Sequence, residues 1–125
     1  MKSNLLFFLA CLAFLPFTSC EKLNPDIVCF GFDQRQCGMD EWADLVPISD
    51  DVSVRESKMK EYLESKDLAI REVKLVKDFY GGVCKACGVC PEPDRFIIRI
   101  NIADTSAIKK FDFLGNKLED CSEYF

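Results

Sequence analysis

The sequence predicts a small single α+β domain, with one main helix packed on a small antiparallel sheet and disulfides stapling the whole. Three observations carry that prediction. "RFIIRINI" (95–102) alternates, placing Phe96, Ile98, Ile100 and Ile102 on one face and Arg99 and Asn101 on the other, the period of a half-buried strand. "SVRESKMKEYLESK" (53–66) sets Met59, Tyr62, Leu63 and Lys66 at helical spacing. Eight cysteines in 125 residues is the density of oxidised small domains whose cores need covalent support.

The elements follow in chain order. "IVCFGF" (27–32) alternates Ile27, Cys29 and Gly31 against Val28, Phe30 and Phe32, the pattern of a short strand. "DQRQCGMDEWADLVP" (33–47) turns at Gly38 and coils once around Trp42 and Leu45, with Trp42 as a core plug. Asp50 and Asp51 lack the alternating acids and closing Glu of a calcium loop and read as a solvated turn. Ser53 and Glu56 form the Ser-x-x-Glu pattern of a capping box. In such a box each side chain satisfies an orphan backbone N–H, and it opens a helix over 54–66. Its Met59, Tyr62 and Leu63 should face Phe96, Ile98 and Ile100. The stretch 68–82 fits two templates. Val73, Leu75 and Phe79 suit a strand face, whereas Ala69, Val73, Val76 and Tyr80 suit a helix. Frequent Ile and Val and the closing Gly81-Gly82 favour the strand, paired with 95–102 as an antiparallel hairpin around a cysteine loop. "DTSAIKKFDFLG" (104–115) offers a short helix capped by Asp104. "NKLEDCSEYF" (116–125) is a tail tied down through Cys121.

The N-terminal segment stands apart. Lys2 precedes 13 apolar residues, Leu5 to Phe17, then small Thr18 and Ser19, then Cys20. Thirteen residues are too few to cross ~30 Å of hydrocarbon as a helix, and the pattern is that of an export signal over 1–19. "PFTSC" (16–20) resembles the lipobox of bacterial lipoproteins, although Phe17 stands where Leu is usual. The resemblance covers only the signal and its cleavage site. It implies that Cys20 is the lipidated first residue of the mature chain, diacylglyceryl-modified on sulfur and acylated (palmitate-type) on nitrogen. Residues 20–26 then form a tether, and 27–125 a cysteine-rich domain of an outer-membrane lipoprotein. The alternative is an ordinary signal that releases a soluble, secreted chain at Glu21. Both readings place the domain in the envelope or beyond it. Cleavage before Cys20 removes Lys2 and no acid, which leaves 15 basic against 21 acidic side chains, a formal −6. An acidic domain stands off anionic headgroups.

Composition excludes several functions. The chain has no His, hence neither the commonest general base nor the commonest zinc or copper ligand. An acidic balance argues against nucleic acid as a partner. No Asn begins a glycosylation sequon. No catalytic motif or phosphate-cradling glycine loop stands out, so no enzyme activity and no cofactor are expected.

"CKACGVCP" (84–91) is the one constellation with chemistry in it. Cys84, Cys87 and Cys90 resemble three ligands of the bacterial ferredoxin run, but Pro91 follows the third Cys directly and Asp94 occupies the fourth position. Iron–sulfur clusters also belong to reducing compartments. An all-thiolate zinc or copper site at these three cysteines, or a redox pair, remains open beside the structural reading. In that reading Cys29, Cys37, Cys84, Cys87, Cys90 and Cys121 pair completely. Spacing favours Cys29 with Cys37 and Cys84 with Cys90, which leaves Cys87 for Cys121. Two function classes result. One is a non-enzymatic, lipid-anchored binding or accessory domain with an envelope or extracellular partner. The other is a thiol-dependent metal carrier or redox protein.

Overall fold

The computed structural model describes residues 26–111, the backbone of 117–118, and residues 120–125. The predicted signal, Cys20 and the predicted tether up to residue 25 lie outside the described residues. A four-stranded antiparallel sheet in the order β2–β3–β1–β4 is built from β1 (Ile27–Arg35), β2 (Ile70–Val76), β3 (Pro91–Asn101) and the two-residue β4 (Lys117–Leu118). One long helix, α1 (Val52–Glu64), lies over β2, and a short one, α2 (Thr105–Ile108), follows β3. The predicted α+β fold and its main hairpin are therefore present. β3 pairs with β1 from Ile27 opposite Asn101 to Arg35 opposite Pro91, and with β2 from Ile70 opposite Ile100 to Val76 opposite Arg95.

The pleat sorts the sheet into two faces. Val28, Phe30 and Phe32 of β1, Ile70, Val73 and Leu75 of β2, and Phe96, Ile98 and Ile100 of β3 turn inward. They meet Met59, Tyr62 and Leu63 of α1, all at most 6 % exposed, as the helical spacing requires. Trp42 fills the core end. Its ring stands edge-on to both Phe32 and Phe96, at 6.0 Å from each, and those two rings stack at 5.3 Å. Among the described residues, the buried core side chains lie between Val28 and Ile108, with half-buried Ala107 and Phe111 packed against them.

Several expectations are corrected. The helix begins at Val52 with Asp51 as its flanking residue, and no side-chain cap bond forms there. Ser53 is exposed, and the Glu56 carboxylate accepts the Leu75 N–H (2.8 Å) instead of closing a capping box. The pull of an edge strand with unpaired amides outweighs the local cap. Asp104 makes no side-chain cap bond to α2; Thr105 Oγ1 donates to the Ile102 carbonyl there. Leu45 is 55 % exposed, although its N–H still donates to the Trp42 carbonyl. Phe79 lies beyond the end of β2, its ring against Tyr80 and under the Arg95 guanidinium. β1 runs past Phe32 to Arg35 and β3 starts at Pro91, so the sheet reaches further toward the cysteines than the alternation suggests.

The outer face of the sheet carries Cys29, Gly31 and Asp33 on β1 and Arg95, Ile97 and Arg99 on β3. Gly31 leaves room for Arg95: a Cβ at this position would lie 2.7 Å from Arg95 Nε and would displace the guanidinium. The tail crosses this face. Cys121 is bonded to Cys29, and the Arg99 guanidinium sits 4.8 Å from the Phe125 ring centre. Ile97 between the two arginines is fully buried.

Candidate functional site

β1 and β3 end together, and the chain segments leaving them are tied into one tip. Pro91 and Pro93 supply no N–H to the ladder, and side chains and loop amides take over. Gln36 N–H donates to the Cys90 carbonyl (2.9 Å), and Gly88 N–H donates to the Gln36 carbonyl (3.2 Å). The Gln36 amide donates to the carbonyls of Cys84 (2.8 Å) and Pro91 (3.0 Å). Within the second segment, the Ala86 carbonyl accepts from Val89 and Cys90 and forms a single helical turn. Cys37, Gly38 and Gly88 all have positive φ, 67°, 63° and 71°. Gly takes this conformation freely, whereas Cys37 holds it at a cost of roughly 1–2 kcal/mol.

Disulfides lock the arrangement. Cys84 joins Cys90 across six positions, as the spacing suggests. The other two bonds differ from the expected ones. Cys37 joins Cys87 (Cα–Cα 5.2 Å), and Cys29 joins Cys121 (Cα–Cα 6.1 Å). The reason lies in the sheet. Cys29 is in mid-strand on the outer face, and eight residues of β1 and its turn carry Cys37 away to the tip. The hairpin loop meets Cys37 there, while the tail crosses the outer face at Cys29. The sulfurs of Cys84, Cys87 and Cys90 are thus all engaged, and the triplet presents no thiolate in this state. Among the described residues, no group of three or more Cys, Asp or Glu side chains is arranged to hold a metal ion.

The tip's surface is apolar. Val89 is 80 % exposed and Met39 58 %, and the two segments touch: a Cβ on Gly88 would lie 3.4 Å from Met39 Cγ. Cys37, Cys84, Lys85 and Cys87 are also exposed, and Cys90 is buried beneath them. At its base Arg35 holds the buried Asp40, which accepts from Arg35 Nε (2.7 Å) and from the Arg35 backbone N–H (2.7 Å).

Under the tip lies a buried polar cluster that the sequence analysis overlooked. Arg55, 1 % exposed, donates to Asp94 (2.8 Å) and to the Gln34 side chain (3.0 Å). Asp94 also accepts from Lys77 (2.6 Å) and from the Asp78 N–H (3.2 Å). Burial pushes the Asp94 carboxyl up, but the hydrogen bonds from Lys77, Arg55 and Asp78 outweigh it and hold the group below the usual carboxylate range. The residue at the fourth ligand position of the ferredoxin-like run is therefore committed to a structural ion pair. Nearer α1's far end, burial and then the hydrogen bond to Glu41 push the Tyr62 hydroxyl well above its ordinary range.

Fold and site define the protein as a small α+β domain with three disulfides. Comparison with protein-family models, curated proteins and solved structures gives no match. Among the described residues no helix is long and apolar enough to cross a membrane.

Proposed function

We propose that the chain is an outer-membrane lipoprotein of the bacterial envelope, anchored through Cys20, whose domain binds a partner and catalyses no reaction. One observation carries this reading. The only chemistry-bearing constellation, Cys84, Cys87 and Cys90, is spent in two disulfides that shape a surface. The absence of His from the chain points the same way, because the usual base for nucleophilic catalysis is missing. The acyl-Cys signature of the N-terminal 20 residues supports the anchor, and two or three acyl chains hold a protein at a bilayer where one does not.

The test is intact mass and N-terminal peptide mass of the mature, non-reduced protein, with a thiol count. An acylated Cys20 and at most trace free thiol are expected. A free Glu21 amine would replace the anchored reading with the secreted one. Two or more free thiols, or metal that copurifies with the native chain, would replace it with the thiol-dependent one.

A further inference from the structure

We propose that the cross-linked tip is the docking element of this domain, and that it fits an envelope protein offering an apolar pocket rimmed by carboxylates. Its direction relative to the membrane rests on the anchored reading above; the other observations do not.

The first observation is charge. The chain carries 21 acidic side chains, yet none lies between Arg35 and Met39 or between Phe79 and Pro91. Of the acids that flank these two segments, Asp40 is buried against Arg35, and Glu41, Asp78 and the half-buried Glu92 lie just outside them. Lys85 is exposed and forms no ion pair among the described residues. The cores of protein interfaces are depleted of charge in this way, and an unpaired lysine at the edge selects a partner carboxylate. The remaining exposed apolar side chains behave differently. Leu45, Ile48, Val52 and Val54 share their stretch with Asp44, Asp50 and Asp51, and Ile102 stands two residues before Asp104 at the opposite end of the sheet from the tip.

The second is rigidity. Val89 stands 80 % exposed on a turn closed by Cys84–Cys90 and bridged through Cys37–Cys87 to the segment bearing Met39. The backbone that carries it is cross-linked before it meets a partner, so little backbone conformational entropy is lost on binding. Met39 beside it is unbranched and adapts to an irregular pocket wall.

The third is position. β1 starts at Ile27, one residue after the first described position, and delivers the chain to Gln36 in the tip. Nine residues of strand at ~3.3 Å each separate the two by about 26–30 Å. At the tether end the Asp26 carbonyl accepts from Ile102 N–H, so the chain enters the sheet at the end opposite the cysteines. The tip therefore lies at the end of the domain farthest from the tether's point of entry, and this argues for a protein rather than the membrane that holds Cys20 as its occupant.

The experiment places a photo-crosslinking phenylalanine analogue at Val89 and, as control, at exposed Glu61 of α1, in the full chain in its own cells. One discrete adduct is expected from position 89 and none from 61. Competitor chains start at Glu21 and contain the whole core. Wild-type competitor should suppress the adduct at least tenfold better than the Val89→Asp or Lys85→Glu chain. Unchanged melting curves show that these exposed substitutions leave the fold intact. Equal competition by the variants, the same adduct from position 61, or no adduct overturns the proposal. So does Val89-dependent sedimentation of the competitor with phosphatidylglycerol vesicles, which would make the tip a lipid-binding element. The anchor is read separately from the N-terminal mass, so a soluble chain that still gives the adduct sinks the anchoring alone.

Discussion

Asp94 shows how one residue ties the domain together. Its carboxylate links α1 through Arg55, the end of β2 through Lys77 and Asp78, and β3 on which it sits. Removing one partner of a buried pair leaves the other charge uncompensated, at about 3–5 kcal/mol. Asp94→Asn should lower unfolding stability by that amount at pH 7, measured by denaturant titration. The pH dependence follows from the sign of the shift. The folded carboxyl sits below its ordinary value, near 3.9, so its stabilisation is complete above about pH 4 and is lost as pH falls through the folded value. The gap between wild type and Asp94→Asn should be constant from pH 7 to about 5 and narrow below about 4. A gap that persists unchanged at low pH would mean the variant acts through packing. This cluster was legible in part. Asp94 falls in register with Phe96, Ile98 and Ile100, and Arg55 lies four residues before Met59. Two opposite charges on two apolar faces mark a buried pair, but a pattern that counts only apolar residues passes over them.

At the scale of elements, α1 does two things. It packs the core with one face, and its flank closes the sheet. Glu56 accepts the Leu75 N–H and Lys60, one turn on, donates to the Arg71 carbonyl (3.2 Å), so polar groups of the β2 edge are satisfied by the chain's own helix. Open edges invite pairing with other chains. Glu56→Ala should accelerate hydrogen exchange of the Leu75 amide at least tenfold, with little change at Ile98 in the centre of the sheet; equal acceleration at both would indicate global loosening. Two further substitutions separate core from cap. Leu63→Ala, at a fully buried site, should cost about 2–5 kcal/mol. Ser53→Ala, at an exposed site without a cap bond, should stay within about 0.5 kcal/mol. The helix, the two strands of the hairpin and most of the inward residues were readable, because each rests on a local period; Ile102, placed on the inner face by the alternation, is 50 % exposed because β3 ends at Asn101. The capping box was misread because Glu56 had a better partner 19 positions away, and no local motif reports that competition.

At the scale of the molecule, the three disulfides divide the labour. Two bind the tip, and the third fastens the tail over Cys29 and the outer face of the sheet. The tail's role was readable; its anchoring point was not, since spacing alone favoured Cys29 with Cys37.

That bond between Cys29 and Cys121 also sets the order in which an oxidising compartment can finish the protein. The partners stand 92 positions apart, whereas Cys37 lies only eight residues beyond Cys29. In an unfolded chain the nearer thiol is met far more often, because loop closure costs grow with length. A chain delivered N-terminus first presents Cys29 and Cys37 together long before Cys121 arrives. Early oxidation should therefore trap the wrong pair, and maturation becomes a task of exchange: a thiolate attacks Cys29–Cys37, forms a mixed disulfide with Cys29 and releases the Cys37 thiolate, the Cys121 thiolate then displaces the first to close Cys29–Cys121, and Cys37 pairs with Cys87 by the same exchange with an oxidised thiol. Oxidative refolding of the reduced chain, quenched by alkylation and mapped, should show Cys29–Cys37 rise first and then decay in a glutathione buffer. Without added thiol it should persist. Direct appearance of Cys29–Cys121 under both conditions would show that the sheet assembles before its cysteines oxidise.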